Sequence, residues 1–133
     1  MATSRMLRRA YDVRLAGVGL NLSEASLMAY VHFRGPLTQT RLADGLGLQR
    51  AATGAMIDKL ETRGLIERRP DPADRRVWLV AITADGAPVV DEIVRVDRML
   101  RQDLRAGSSG AERDALDQAL ARLQQNLRAV LGG

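Results

Sequence analysis

The apolar residues of this 133-residue chain change their spacing twice, and the change restricts the folds open to it. Up to Gly64 they recur every three or four positions, as on one face of a helix. From Leu65 to Ile82 they form two short extended runs, and from Thr83 onward the helical spacing returns. A chain that is helical, briefly extended and helical again packs as a mainly α domain carrying a small β-hairpin. This length supplies one core, so a single domain over residues 1–133 is expected.

Punctuation residues divide the helical stretches. Residues 4–17 place Met6, Leu7, Ala10, Tyr11 and Val13 on one helical face. A second helix is expected from Ser23, as its N-cap, through Leu27, Met28, Tyr30, Val31 and Phe33 to a stop at Gly35-Pro36. Leu37 is an extended link, and Thr38 caps a third helix through Leu42 and Ala43. Gly45-Leu46-Gly47 is expected to turn into a fourth helix from Gln49 to Arg63, closed by Gly64.

Residues 65–69 and 77–82 read as the two strands of an antiparallel hairpin, joined by a polar loop, Pro70 to Arg76, that two prolines stiffen. Thr83 caps a long fifth helix bearing Val89, Ile93, Val96, Leu100 and Leu104. After a break at Gly107-Ser108-Ser109-Gly110, a sixth carries Leu116, Leu120, Leu123, Leu127 and Leu131. The segment from Thr38 to Ile82 can close its own core. The stripes on the first, fifth and sixth helices are then left without cover, and burial against a second copy is favoured over a monomeric bundle.

Residue types missing from the chain narrow the chemistry. Without cysteine there is no disulfide, thiolate zinc site, cysteine nucleophile or thiol redox sensor. His32 is the only histidine, a poor start for a catalytic triad or a zinc site, so neither metal nor cofactor is expected. Asp91 and Glu92, adjacent on a helix, point about 100° apart and do not converge as an acid–base pair, so an enzyme is not expected. No apolar run is long enough to span a membrane, and Arg8, Arg9, Asp12 and Arg14 interrupt the N-terminal stretch. A cytoplasmic location follows as the expectation.

Charge is unevenly placed. Residues 34–76 hold nine basic against six acidic side chains, and residues 77–133 seven against eight. Nineteen of the twenty basic residues are arginine, Lys59 being the exception. That choice suits planar recognition of phosphate, and a GC-rich genome would also produce it.

Helix, glycine-containing turn, helix and a hairpin with a basic tip form the layout of a winged helix-turn-helix. The fourth helix turns Thr53, Met56, Ile57 and Leu60 inward, leaving Arg50, Ala51, Gly54 and Ala55 outside with Gln49 at its start. Small side chains let a helix approach base edges in the major groove, where Gln49 and Arg50 can pair with adenine and guanine. Gly54 fits that purpose, since a mid-helix glycine costs about 1 kcal/mol relative to alanine. At the hairpin tip Arg75 and Arg76 can enter a narrow minor groove, with Asp74 directing its neighbour, while Arg68 and Arg69 can reach phosphates. The competing reading is a winged-helix protein-interaction module that does not bind DNA.

Several segments together resemble one family. They are Leu42-Ala43-x-x-Leu46-Gly47-Leu48, Thr53 to Leu60 continuing through Glu61-x-x-Gly64-Leu65-Ile66-x-Arg68, Asp71-Pro72-x-Asp74-Arg75-Arg76, and Leu79-x-x-Ile82-Thr83-x-x-Gly86. In this combination the chain is similar to the multiple antibiotic resistance regulator (MarR) family over nearly its whole length. The resemblance implies a homodimeric repressor that binds double-stranded DNA at a palindromic operator and is released by a small anionic or phenolic ligand. It implies a winged helix-turn-helix over about residues 22–83, and dimerising helices over 1–20 and 84–133. The implied DNA contacts are Thr38, Gln39, Gln49, Arg50, Ala51, Ala52, Gly54, Ala55, Arg68, Asp74, Arg75 and Arg76. Tyr11, Tyr30, His32 and Arg34 are the side chains expected to line a ligand site. Gln49, Ala51 and Ala52 stand where many members have serine or threonine, so the usual hydroxyl contacts are missing.

Overall fold

The computed structural model describes residues 1–132. It is mainly helical, with six α-helices and a two-stranded hairpin among those residues: α1 (Ala2–Leu15), a 3-10 turn (Ala16–Val18), α2 (Leu22–Arg34), α3 (Gln39–Leu46), α4 (Arg50–Thr62), β1 (Ile66–Pro70), β2 (Trp78–Ile82), α5 (Gly86–Leu104) and α6 (Gly110–Val130). Two compact units divide it, one to Leu100 and one from Arg101.

The first unit is organised around a single apolar cluster. Leu15 and Leu20, Leu27, Met28 and Val31 of α2, Leu42 of α3, Ile57 and Leu60 of α4, Ile66 and Val80 of the hairpin, and Val90, Ile93 and Val96 of α5 all belong to it. β1 and β2 pair antiparallel from Ile66 with Ile82 to Pro70 with Trp78. Leu37 adds a one-residue third edge through two backbone hydrogen bonds with Val80, of 3.2 and 2.8 Å.

Helix boundaries shift by a residue or two from the sequence expectation, and at two of them the reason is visible. The cap of α2 is Asn21, not Ser23: Asn21 Oδ1 accepts from the Glu24 amide at 2.8 Å and Glu24 Oε1 accepts from the Asn21 amide at 3.0 Å. This reciprocal box satisfies two otherwise orphaned N–H groups, which Ser23 could not do, and Ser23 instead accepts from Arg8. The turn after α3 is Gly47 alone, at φ +66°, and the helix runs on through Gly45 and Leu46. Gly45 is small for another reason. A side chain there would collide with the Tyr30 hydroxyl, so glycine lets α2 and α3 approach.

The apolar stripes divide into covered and uncovered ones. On α5, Val90, Ile93, Val96 and Leu100 are buried within the chain, so its stripe needs no partner until Leu104, which is exposed. On α1 only Leu15 is buried, and Met6 and Val13 stand open. On α6 no residue is buried, and Leu116, Leu120, Leu123 and Leu127 are each between 43% and 58% exposed.

Glu24, in the cap of α2, is buried and carries a stability prediction. Its Oε2 lies 2.8 Å from Lys59 Nζ. Burial acts to raise its pKa, but the Lys59 ammonium, the Asn21 amide and the Arg63 charge together hold it below the ordinary value of 4.5. A carboxyl whose pKa is depressed by folding adds stability above its unfolded pKa and loses it as pH falls through the folded one. Glu24→Gln should therefore cost about 1–2 kcal/mol at neutral pH. In thermal melts the gap between parent and variant should close as pH is lowered below 4.5. A gap that is constant with pH would remove the ion pair from the account.

Candidate nucleic-acid interface

The helix-turn-helix is set by caps. Thr38 Oγ1 accepts from the Arg41 amide at 3.2 Å and starts α3. At the next cap the Gln49 side chain makes no capping bond, but its carbonyl accepts both the Thr53 amide (3.0 Å) and the Thr53 hydroxyl (2.9 Å). Thr53, Ile57 and Leu60 of α4 are buried. Gln49, Arg50, Ala51, Ala52 and Ala55 are exposed, so the outer face of small residues stands open to solvent.

Gly54 has a use that its sequence position did not reveal. The Gln39 side chain lies across it, its Nε2 donating to the Arg50 carbonyl at 3.4 Å, and a β-carbon on Gly54 would come within 2.7 Å of that nitrogen. Gln39 therefore joins the start of α3 to the first turn of α4 over the gap that glycine leaves.

The wing is braced at its base and closed at its tip. Arg68 donates to Glu61 Oε1 and Asp58 Oδ1, both at 2.8 Å, and its amide donates to Glu61 Oε2 at 3.2 Å. Its guanidinium is thus held by two carboxylates of α4 and is only 27% exposed. Arg68, one of the expected phosphate contacts, is here a strut between β1 and α4. Arg69 leans toward Glu67 at 3.6 Å. In the loop, Asp71 accepts from the Ala73 amide, and the Asp71 and Val77 backbones close the turn at 2.8 Å.

Arg76 is 91% exposed, and Asp74 holds its guanidinium through Nε (3.1 Å) and Nη2 (3.2 Å) while also accepting its amide. Those bonds keep the Asp74 carboxyl below its ordinary pKa, so it is ionised at neutral pH. Arg75, also exposed, has no ion pair among the described residues. The loop thus presents two arginines at a preformed tip, one with its direction set by the aspartate beside it.

The family model described as MarR matches residues 20–78. Among solved structures, RV1404 from Mycobacterium tuberculosis is 30% identical over 94% of this chain and 86% of that one, with a TM-score of 0.74. The chain belongs to the MarR family. Its fold is the winged helix of that family's solved structures. It shares that fold with S. aureus MepR, solved as a DNA complex, at a TM-score of 0.84 and 21% identity over 95% of this chain and 93% of that one. BpsR of Bordetella bronchiseptica, whose structure is described with regulation of its DNA binding by 6-hydroxynicotinic acid, is 26% identical. It aligns over 91% of each chain with a TM-score of 0.72.

The four side chains expected around a ligand do not form one site. Tyr11 donates to Asp97 Oδ1 at 2.7 Å and lines a cleft of about 340 Å³ with Arg5 and Arg8. Tyr30 and Arg34 do meet, the guanidinium 5.4 Å from the ring centre, and both line a cleft of about 480 Å³ with Pro36, Leu37, Arg41 and Asp44. His32 packs edge-on against Phe33.

Sequence reasoning passed over Glu24, Asp58, Lys59, Glu61 and Arg63, which hold α4 in place. Two signals were available: Asn21-x-x-Glu24 has the spacing of a capping box, and Lys59 is the one lysine in a chain of arginines.

Proposed function

We propose that this MarR-family protein is a homodimeric repressor that acts in the cytoplasm, binds a palindromic operator and is released by a small anionic or phenolic ligand. The observation that carries the DNA-binding reading is the open face of small residues on α4 beside a preformed wing bearing Arg75 and Arg76. In this reading α4 enters the major groove. Gln49 and Arg50 meet base edges there, and Ala51, Ala52, Gly54 and Ala55 allow close approach. Thr38 and Gln39, half-buried at the start of α3, meet the phosphate backbone, and Arg75 and Arg76 enter the minor groove with Asp74 as guide. Arg68 contributes as the brace that holds the wing against α4.

The dimer reading rests on the apolar side chains of α1 and α6 that the chain itself leaves exposed. Residues 22–83 then form the DNA-reading part, with α1, α5 and α6 contributing to dimerisation. The ligand reading rests on the two clefts that take Tyr11 and the Tyr30–Arg34 pair, and BpsR supplies a relative with a small aromatic acid as its regulator.

The test is fluorescence anisotropy on the promoter of the protein's own gene and on a scrambled duplex, across a salt series. Arg50→Ala should lose about 1–3 kcal/mol on the promoter and little on the scrambled duplex. Arg76→Ala should weaken both, with a salt slope shallower by about one. Trp78, the single tryptophan, is exposed at the loop end of the wing strands opposite Pro70, so its emission should respond to DNA as well. Binding that is weak, independent of salt and equal on both duplexes would defeat the proposal.

A further inference from the structure

The single lysine of this chain lies in the second half of α4 and reaches a buried carboxylate on a different helix. Lys59 Nζ lies 2.8 Å from Glu24 Oε2, and Glu24 is itself locked by its reciprocal cap with Asn21. One turn further on, Arg63 donates through Nη1 to the Gly19 carbonyl at 2.9 Å and through Nη2 to the Val18 carbonyl at 3.1 Å. Those carbonyls end the 3-10 turn between α1 and α2, where Gly19 is left-handed at φ +71°. A β-carbon on Gly19 would press on the Arg63 guanidinium at 3.3 Å. Three charge-assisted bonds thus tie the far end of α4 to the α1–α2 elbow, all on acceptors that are themselves fixed.

At the other end of α4 the ties are slighter. The side-chain bond that reaches it from α3 is the 3.4 Å contact from Gln39 to the Arg50 carbonyl. We propose that Glu24, Lys59 and Arg63 are positioning residues for DNA reading, a clamp that sets the axis of α4 from its C-terminal end and so places Gln49 and Arg50 against the bases. This rests on the reading of α4 as the base-contacting helix.

The leverage is geometric. Arg50 and Lys59 are nine residues apart, about 13 Å along a helix, so a tilt of about 10° at the clamp moves Arg50 by about 2 Å. Directional hydrogen bonds to base edges do not survive a shift of that size. The choice of lysine follows from the acceptor. Glu24 Oε1 is taken by the Asn21 amide, leaving one oxygen, which suits a point ammonium better than a planar fork.

Lys59 is 61% exposed, so a direct contact from its ammonium to a DNA phosphate is the rival explanation, and the two differ in what they do to salt dependence and sequence discrimination. The experiment uses the full chain, a duplex selected by the protein from a random library, and an unselected duplex of equal length. Lys59→Met, Glu24→Gln, the double variant and Arg50→Ala are compared by anisotropy over a salt series, with circular dichroism melts to confirm folding at the assay temperature. Glu24→Gln keeps the bond to the Asn21 amide and serves if Lys59→Met melts too low.

The clamp predicts that each single variant loses about tenfold on the selected duplex, stays within about twofold on the unselected one and keeps the parental salt slope. The double variant should be no weaker than the weaker single, because both act through one bond. Equal losses on both duplexes with a shallower slope would assign Lys59 to a phosphate, and unchanged affinity in folded variants would remove the clamp. If Arg50→Ala discriminates between the duplexes and the clamp variants do not, the clamp alone falls. If Arg50→Ala does not discriminate, the reading of α4 falls and the clamp with it.

Discussion

Gly86→Ala should lower the thermal midpoint by roughly 10–15 °C at fixed protein concentration, a loss of about 3 kcal/mol or more. A β-carbon on Gly86 would lie 2.0 Å from the Leu65 carbonyl oxygen and 3.0 Å from Ile82 Cγ2. The obstacle is backbone with no room to retreat, because the Leu65 carbonyl accepts the Thr83 amide at 3.2 Å. Beside it the Thr83 hydroxyl donates to the Gly64 carbonyl at 2.6 Å and accepts the Gly86 amide at 3.0 Å. The Ile82-Thr83-x-x-Gly86 motif is thus a weld between the end of β2, the turn after α4 and the start of α5. Relief would have to separate α5 from that turn, exposing Val90 and Ile93, both of which belong to the core. Differential scanning calorimetry of parent and variant is the check, and a midpoint unchanged within two degrees or so would show that the backbone gives more easily than these bonds suggest.

The second large effect is expected on α6. Leu120→Asp with Leu127→Asp should convert a dimer into single chains, read as a halved mass by light scattering after size exclusion. The leucines recur at three–four spacing along a helix on which no residue is buried, and water is a poor neighbour for such a stripe. A dimer on a palindrome holds two readers on one duplex, so losing the second should weaken operator binding by about 10²-fold or more, with little change in non-specific affinity per chain. A parent protein that already runs as a single chain would overturn the dimer, and a variant retaining the parental mass would move the interface away from α6.

Much of this architecture was legible in the spacing of apolar residues. The switch from helical to extended and back located the hairpin within a residue of its observed strands, and the inward set of Thr53, Ile57 and Leu60 on α4 followed from the helical period. What spacing alone did not show is which side chains are met by another element. Gly54, on the outer face of α4, also has the Gln39 side chain lying across it. Arg68 looked like a phosphate contact and is engaged by Asp58 and Glu61. The stripe on α5 is in large part covered by its own chain, leaving Val94, Met99 and Leu104 exposed. In each case the deciding partner is not a periodic neighbour, and spacing along the chain says nothing about which element crosses above it.

The sequence by itself determined the class of fold, the place of the hairpin and the basic character of its tip. These depend on periodicity, proline, glycine and charge, which act locally along the chain. Only the tertiary structure decided what Lys59 and Arg63 hold, because their acceptors lie 35 and more than 40 residues away, on the α1–α2 elbow. A long-range bond between charged groups depends on where two elements cross, and that crossing is set by how the whole apolar core packs.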